Sequence, residues 1–311
     1  MGSTSTSTST ATPAFSRETG DDGSFQRQDS AFRDTTIVPE AGRYHLYVSY
    51  ACPWAHRAII ARRLKGLEDV ISMSVVDPVR DERGWAFTGG EFTDPVNGFG
   101  FLSEAYHASD PSFDARVTVP VIWDKEEGRI VNNESGDVLR ILNSGFSDLA
   151  DNTVDLYPEI LRPEINAINR RVYDTVNNGV YKAGFTTSQE TYEREAYALF
   201  ETLDWLEERL AHQRYLASGD VPTEADWRLF TTLVRFDSVY VTHFKCNLRR
   251  LVDYPNLWGF TRDLYQSHGI ADTVKLDQIK AHYFLTHPQI NGNRLIPIGP
   301  DLDFEEPHGR G

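Results

Sequence analysis

The sequence predicts a two-part fold, an α/β half followed by an all-α half. Three observations predict it. Between Tyr44 and Val76 a strand-like run, a helix-like run and a second strand-like run follow one another, the order of a βαβ unit. Two further strand-like runs lie between Val117 and Val131. After Asp155 the strand signals nearly vanish, and apolar residues recur at helical spacing.

The elements follow in order. Residues 1–30 are polar and rich in Ser, Thr, Gly and Asp, which predicts a mobile tail. Tyr44-His45-Leu46-Tyr47-Val48-Ser49-Tyr50 is aromatic and β-branched, a strand signature. Cys52-Pro53-Trp54-Ala55 follows, and His56 to Lys65 reads as a helix ending near Gly66. Pro53 suits a first helical turn, where its missing N–H costs nothing. Val70–Val76 reads as the second strand. Residues 77–115 look irregular, with many Gly, Asp and Pro, and an irregular segment of that length is usually functional. Val117–Trp123 and Gly128–Val131 read as hairpin-paired strands, and Glu134-Ser135-Gly136-Asp137 opens a helix running to about Asn143.

In the second half, Tyr192, Ala196, Leu199, Leu203, Leu206 and Leu210 alternate steps of four and three, one face of a long amphipathic helix. Thr187-Ser188-Gln189-Glu190 fits a capping box at its start, and Thr223-Glu224-Ala225-Asp226 offers a similar acidic cap ahead of Trp227 and Phe230. A linker near residues 144–156 therefore divides a domain at 31–150 from a helical domain at 151–311.

The formal net charge of −15 argues against a general nucleic-acid binder, which carries a basic footprint. It predicts solubility and leaves room for a local basic pocket. No apolar run reaches the roughly 18 residues of a membrane span, and the Met-Gly-Ser/Thr start lacks the pattern of a secretory signal. Cys52 and Cys246 are the only cysteines. Two distant cysteines in a chain of this size are no disulfide framework. A cytoplasmic, reducing location is expected.

Cys52 is the leading candidate for chemistry. It lies where a strand gives way to a helix N-terminus, where free N–H groups and the helix dipole favour a thiolate. The plain alternative is a small, semi-buried core residue. A disulfide oxidoreductase would carry a second cysteine three positions on, where this chain has Ala55. Any chemistry at Cys52 is therefore monothiol and needs an external thiol to finish the cycle. Cys246, beside Lys245 and Asn247 in the helical half, reads as structural. Pro120 after Val119 is either an edge-strand proline or a cis proline that turns the Val119 backbone toward a peptide-like ligand. Glu134 and Ser135 are first of all helix-capping residues. The same arrangement can present a carboxylate, a hydroxyl and backbone N–H groups to a zwitterion.

Together these residues resemble the thioredoxin-like half of glutathione transferases, with the helical half in agreement. Ser49 through Arg57, Arg116 through Asp124, Asn133-Glu134-Ser135, Asn178 through Phe185, and His243 through Asn247, in that order, resemble more narrowly the glutathionyl-hydroquinone reductases, or Xi-class transferases. The likeness runs from about residue 40 to the closing Ile296-Pro297-x-Gly-Pro300. It implies that Cys52 is the nucleophile and that Trp85, Arg116, Val119, cis-Pro120, Glu134 and Ser135 hold glutathione. It further implies that Tyr181, Tyr283 and His243 meet an aromatic substrate. With 14 tyrosines in the chain, composition and spacing alone do not single out these two; His243 reads equally well as a satisfied interior histidine. The implied reaction reduces S-glutathionyl-hydroquinones through a Cys52–glutathione mixed disulfide. Glutathione is the cosubstrate, no metal, flavin or nicotinamide is needed, and a homodimer is expected. The competing readings are an omega-like thioltransferase or dehydroascorbate reductase, using the same Cys52, and a non-catalytic transferase-like binding protein.

Overall fold

The computed structural model describes residues 19–20, 22–150 and 154–310. The first half is built on a four-stranded sheet. Its strands are β1 (Tyr44–Val48), β2 (Ser72–Val75), β3 (Val121–Asp124) and β4 (Arg129–Asn132), in the order β2-β1-β3-β4. β1 pairs parallel with β2 and antiparallel with β3, and β3 pairs antiparallel with β4. All five residues of β1 are buried, which explains its unbroken run of bulky side chains: a central strand covered on both faces has no polar alternation. β1 and β2 are joined by α1 (Pro53–Leu64), with Pro53 in the first turn. The strand expected to begin at Val117 begins at Val121 instead, immediately after Pro120, which has no N–H to give to a ladder. α3 (Ser135–Ser144) is capped by Glu134, whose carboxylate accepts the Gly136 N–H.

The long segment expected to be irregular contains a helix, α2 (Leu102–Ser109), with Leu102, Ala105 and Tyr106 buried on one face. Its eight residues lie among glycines and prolines and carry too short a period to stand out. Several carboxylates tie down the rest of this segment, Asp77 and Glu104 among them, and Asp94 makes the largest set of contacts. Asp94 is 4 % exposed, and it accepts the backbone N–H groups of Val96 (3.0 Å), Asn97 (3.2 Å) and Phe99 (3.1 Å) and the Tyr47 hydroxyl (3.2 Å).

Beyond Asp155 the described residues form helices and turns without strands. The main helices are α4 (Arg162–Val172), α5 (Gly179–Phe185), α6 (Gln189–His212) and α7 (Glu224–Arg235), followed by the short α8 (Val241–His243), α9 (Pro255–Gln266) and α10 (Leu276–Thr286). π-helical turns at Tyr173–Asn177 and Phe236–Tyr240 interrupt the run into α5 and out of α7; such turns are rare and gather at functional sites. The cap of α6 differs by one residue from the expected box. Ser188 is the N-cap and accepts the Thr191 N–H at 3.3 Å, with no returning carboxylate. At α7 the expected cap is present: Asp226 accepts both the N–H (2.7 Å) and the hydroxyl (2.9 Å) of Thr223.

The halves meet where α1 packs on both α3 and α7. Arg140 on α3 forms a bidentate pair with Glu224 at the start of α7 (3.0 and 2.8 Å). Such a forked pair fixes geometry as well as charge.

The expected tail needs correction in its last part. Residues 1–18 and 21 lie outside the described residues, but the chain from Asp22 to Ser30 crosses both halves. The Gly23 carbonyl accepts the Thr187 N–H (3.1 Å) and the Thr186 hydroxyl (2.8 Å). Phe25 is buried against Tyr181 and Phe185. Averaged composition hid one large apolar anchor among polar neighbours.

Candidate active site

Cys52 is the N-cap of α1 and is half-buried. The local sequence explains the placement: β1 ends at Val48, a tight turn follows in which the Cys52 N–H meets the Ser49 carbonyl at 3.2 Å, and Pro53 starts the helix. The Cys52 Sγ points at the Val119 carbonyl oxygen, 3.7 Å away. The Val119–Pro120 bond is cis, the second of the two readings left open by the sequence. Ala55 is completely buried and Cys246 lies in the helical half, its thiol against the Phe244 carbonyl. Burial pushes the Cys246 thiol far up from its ordinary range, so it remains a protonated, inert group.

Cys52 opens onto a cleft of about 450 Å³, counting its mouth. Trp85 and Arg80 wall one side; the indole stacks on His282 with ring centres 5.1 Å apart and planes 15° from parallel, and the Arg80 guanidinium lies 4.8 Å from the indole centre. Arg116 also lines the cleft. Its backbone N–H and carbonyl are both tied to the Gln28 side chain, at 2.8 and 3.2 Å. Arg27 completes the polar lining. Its guanidinium sits 4.7 Å from the Trp54 ring centre and 4.8 Å from that of Tyr181, while its Nε donates to Asn178 Oδ1 at 2.7 Å. Among the described residues, no Asp or Glu lines this cleft. A chain of net charge −15 thus holds three arginines around one cysteine, a local field that attracts anions.

The helical half supplies a hydroxyl chain. Tyr181 Oη and Tyr283 Oη are 2.5 Å apart, and Tyr283 Oη is 3.1 Å from Tyr240 Oη. Burial is the main cause that pushes all three phenols above their ordinary range, so they stay protonated and can donate. The histidines nearby are held neutral, again chiefly by burial. His282 is pushed down to about 3, and its Nδ1 meets the Pro78 carbonyl at 2.6 Å. His243 is pushed down to about 4.

Residues 51–144 match the glutathione S-transferase N-terminal domain family, and residues 189–263 match the C-terminal domain family. The chain is 51 % identical over 283 residues to the glutathionyl-hydroquinone reductase PcpF of Sphingobium chlorophenolicum, covering 89 % of this chain and 90 % of the relative. The glutathione-bound structure of YqjG from Escherichia coli K-12 superposes with a TM-score of 0.86 at 53 % identity, covering 88 % of this chain and 89 % of that one. The Xi-class transferase of Phanerochaete chrysosporium superposes with a TM-score of 0.88 at 50 % identity, covering 91 % and 94 %. The chain belongs to the Xi-class glutathione transferases.

Of the residues that the sequence pointed to in this Xi-class chain, Cys52, Trp85, Arg116, Tyr181 and Tyr283 line one cleft. Val119 and Pro120 flank it through the Cys52 contact. Glu134 and Ser135 open α3 and are not among the residues that line it. The Glu134 carboxylate accepts the Ser30 hydroxyl at 2.9 Å, and Ser135 Oγ accepts from Arg57 at 3.2 Å. His243 is not brought into the cleft. It is 3 % exposed, and its Nε2 faces His287 Nδ1 at 3.1 Å; His287 is the residue that reaches the lining. The interior reading of His243 is therefore the one that matches its position.

Phe25, Arg27, Arg80, His282 and Tyr240 were not found from the sequence. Phe25 and Arg27 sat inside a compositionally polar stretch, and Arg80 in a loop with no period. His282 directly precedes Tyr283, a cue that adjacency could have supplied. Nothing local marks Tyr240, whose hydroxyl matters only because Tyr283 lies across from it.

Proposed function

We propose that this transferase is a glutathionyl-hydroquinone reductase. The observation that carries the reading is a half-buried free cysteine at a helix N-terminus sharing one cleft with the Tyr181–Tyr283 hydroxyl pair. The Cys52 thiolate attacks the glutathione sulfur of a glutathionyl-hydroquinone. The S–S bond of a Cys52–glutathione mixed disulfide forms as the bond from sulfur to the ring carbon breaks. That carbon takes the electron pair and then a proton, which is feasible when the ring reacts as its keto tautomer. Tyr181 and Tyr283, kept protonated by burial, donate to the ring oxygen on which charge develops. A second glutathione thiolate attacks the mixed disulfide, releases oxidised glutathione and restores Cys52. The sum is one glutathionyl-hydroquinone and one glutathione converted to one hydroquinone and one glutathione disulfide. This balance needs no metal, flavin or nicotinamide.

Glutathione itself is assigned as follows. Val119 offers backbone groups to the cysteinyl part beside cis-Pro120, and Glu134 with Ser135 takes the γ-glutamyl end. Trp85 covers the tripeptide, and Arg116 meets a carboxylate. Phe25 adds an apolar wall on the side of the aromatic ring. The same reading includes a homodimer working in a reducing cytosol, the compartment where glutathione resolves mixed disulfides.

The test compares release of hydroquinone from its glutathione adduct with turnover of a simple mixed disulfide. Cys52→Ser should abolish both, and intact mass of the parent protein after exposure to oxidised glutathione should show one glutathione on Cys52. Parental hydroquinone release by Cys52→Ser would sink the mechanism. Faster turnover of the simple disulfide than of the aromatic adduct would favour a general thioltransferase.

A further inference from the structure

Arg235, the last residue of α7, is fully buried. Among the described residues no carboxylate lies within ion-pair distance of it; its four hydrogen bonds all go to neutral acceptors. Its Nε donates to the Ala51 carbonyl at 3.1 Å, one Nη to the Tyr50 carbonyl at 2.8 Å, and the other Nη to the Thr231 carbonyl at 2.7 Å and His56 Nδ1 at 3.0 Å. Arginine has no acceptor, so His56 Nδ1 must be the bare nitrogen. The His56 proton then sits on Nε2 and faces Thr273 Oγ1 at 2.8 Å. Burial, with Arg235 second, holds His56 well below its ordinary range, so it adds no charge.

The Ala51 carbonyl belongs to the peptide unit whose nitrogen is that of Cys52. A cation on that oxygen therefore stands one peptide away from the nucleophile, and grips the turn that aims it. A buried charge without a counter-ion is costly. It is also screened little, so it acts strongly on a neighbouring anion. The other cations near Cys52 differ in setting. Arg27, Arg80 and Arg116 line the open cleft, where water and ligand carboxylates screen them. Arg57 of α1 is turned to Ser135 and to Asn177 Oδ1 (2.9 Å). Tyr181, Tyr283, His282 and His287 face the cysteine from the helical half as neutral groups.

We propose that Arg235 is a positioning residue for Cys52: from the helical half it fixes the Tyr50–Ala51 turn and sets a buried positive charge behind the reacting sulfur. The inference rests on Cys52 being the nucleophile. It makes the docking of the two halves a condition for an active thiolate.

The test follows the rate of Cys52 alkylation by iodoacetamide against pH, read by mass at the Cys52 peptide, with steady-state kinetics on a glutathionyl-hydroquinone. Arg235→Gln removes the charge. The alkylation midpoint should rise by about one pH unit, the size of effect a nearby charge has on a thiol. Read at a pH below the parent midpoint, kcat should fall about tenfold while KM stays within about twofold, the pattern of a lost nucleophile rather than lost binding. Arg235→Lys keeps the charge but not the fork. Its midpoint should stay within about half a unit of the parent, with kcat still reduced, because an ammonium cannot make all four contacts. Circular dichroism and a melting curve establish that each variant is folded. An unchanged midpoint in folded Arg235→Gln overturns the proposal. If the glutamine variant does not fold, the lysine variant decides: a parental kcat, or a midpoint raised by a full unit, overturns it. Cys52→Ser, assayed alongside, separates the cases. Activity retained there defeats the nucleophile assignment itself; activity lost there with an indifferent Arg235→Gln defeats only this inference.

Discussion

Tyr283 stands between two other phenols, 2.5 Å from Tyr181 Oη and 3.1 Å from Tyr240 Oη. Removing its hydroxyl breaks the chain at the centre and leaves the ring in place. Tyr283→Phe should lower kcat/KM for a glutathionyl-hydroquinone by about 100- to 1,000-fold, the range for loss of one charge-stabilising donor. Turnover of a simple mixed disulfide, which develops no charge on a ring oxygen, should change less than about twofold by the same argument. Equal losses on both substrates would mean that the phenol supports the glutathione site instead. At this scale the sequence was informative where chemistry is local. Cys52, Pro53 and Ala55 are neighbours, and their arrangement implies a monothiol site before any fold is known. Tyr181 and Tyr283 are 102 positions apart, and no local rule selects them from 14 tyrosines; the family resemblance did.

Among the elements, α5 shows how backbone shape serves the site. It carries Tyr181, and its Gly184 lies directly under the Phe244 ring, which a Cβ at that position would overlap. Phe244 in turn stacks on Tyr240, with ring centres 5.6 Å apart and planes 10° from parallel. Gly184→Ala should destabilise the protein by about 1–3 kcal/mol, the cost of overpacking a filled core, and should disturb the Tyr240–Tyr283 contact. A denaturation curve measures the first effect, and the kcat for the aromatic substrate the second. An unchanged unfolding midpoint would show that Phe244 moves aside freely. Long elements with a clear period, such as α6, were legible because the core imposes one apolar stripe. The eight-residue α2 was not, since it spans barely two turns and its anchors, Leu102, Ala105 and Tyr106, follow a glycine-rich loop. The segment from Asp22 to Ser30 was misjudged for the opposite reason: it has no period at all and is ordered by what it touches.

Over the whole molecule, five histidines are buried and held neutral. Burial is the largest cause in each case. His45 and His243 are pushed down to about 4 and His282 to about 3, while His56 and His287 lie well below the ordinary value of 6.5. An unfolded chain takes up these protons near pH 6.5 and the folded chain does not. Their stabilising contribution is therefore fully present above that pH and is lost as pH falls toward 4. The slope reaches about 1.4 kcal/mol per pH unit for each histidine once pH is well below 6.5. Asp226 acts in the opposite sense. Burial raises its carboxyl to about 6, so its share is present at acid pH and is lost as pH rises through 6. Burial also raises the Asp237 carboxyl, and two carboxyls against five histidines leave a net fall in stability from pH 7 to pH 5, above the range where ordinary carboxylates titrate. Urea midpoints measured at pH 7, 6 and 5 check this; a flat series would mean that the interior histidines protonate without unfolding.

The sequence by itself determined the division into an α/β and a helical half, the junction that places Cys52 at a helix start, the lack of a second cysteine at position 55, and the Thr223–Asp226 cap. Each rests on residues a few positions apart, where periodicity and capping chemistry act directly on the backbone. Only the tertiary structure decided that Phe25 and Arg27 return to the cleft, that His287 reaches it where His243 does not, and that Arg235 holds the turn before Cys52 across 184 positions. Those relations arise when separate elements bury their apolar faces against one another, and buried polar groups must then find partners wherever packing has brought them.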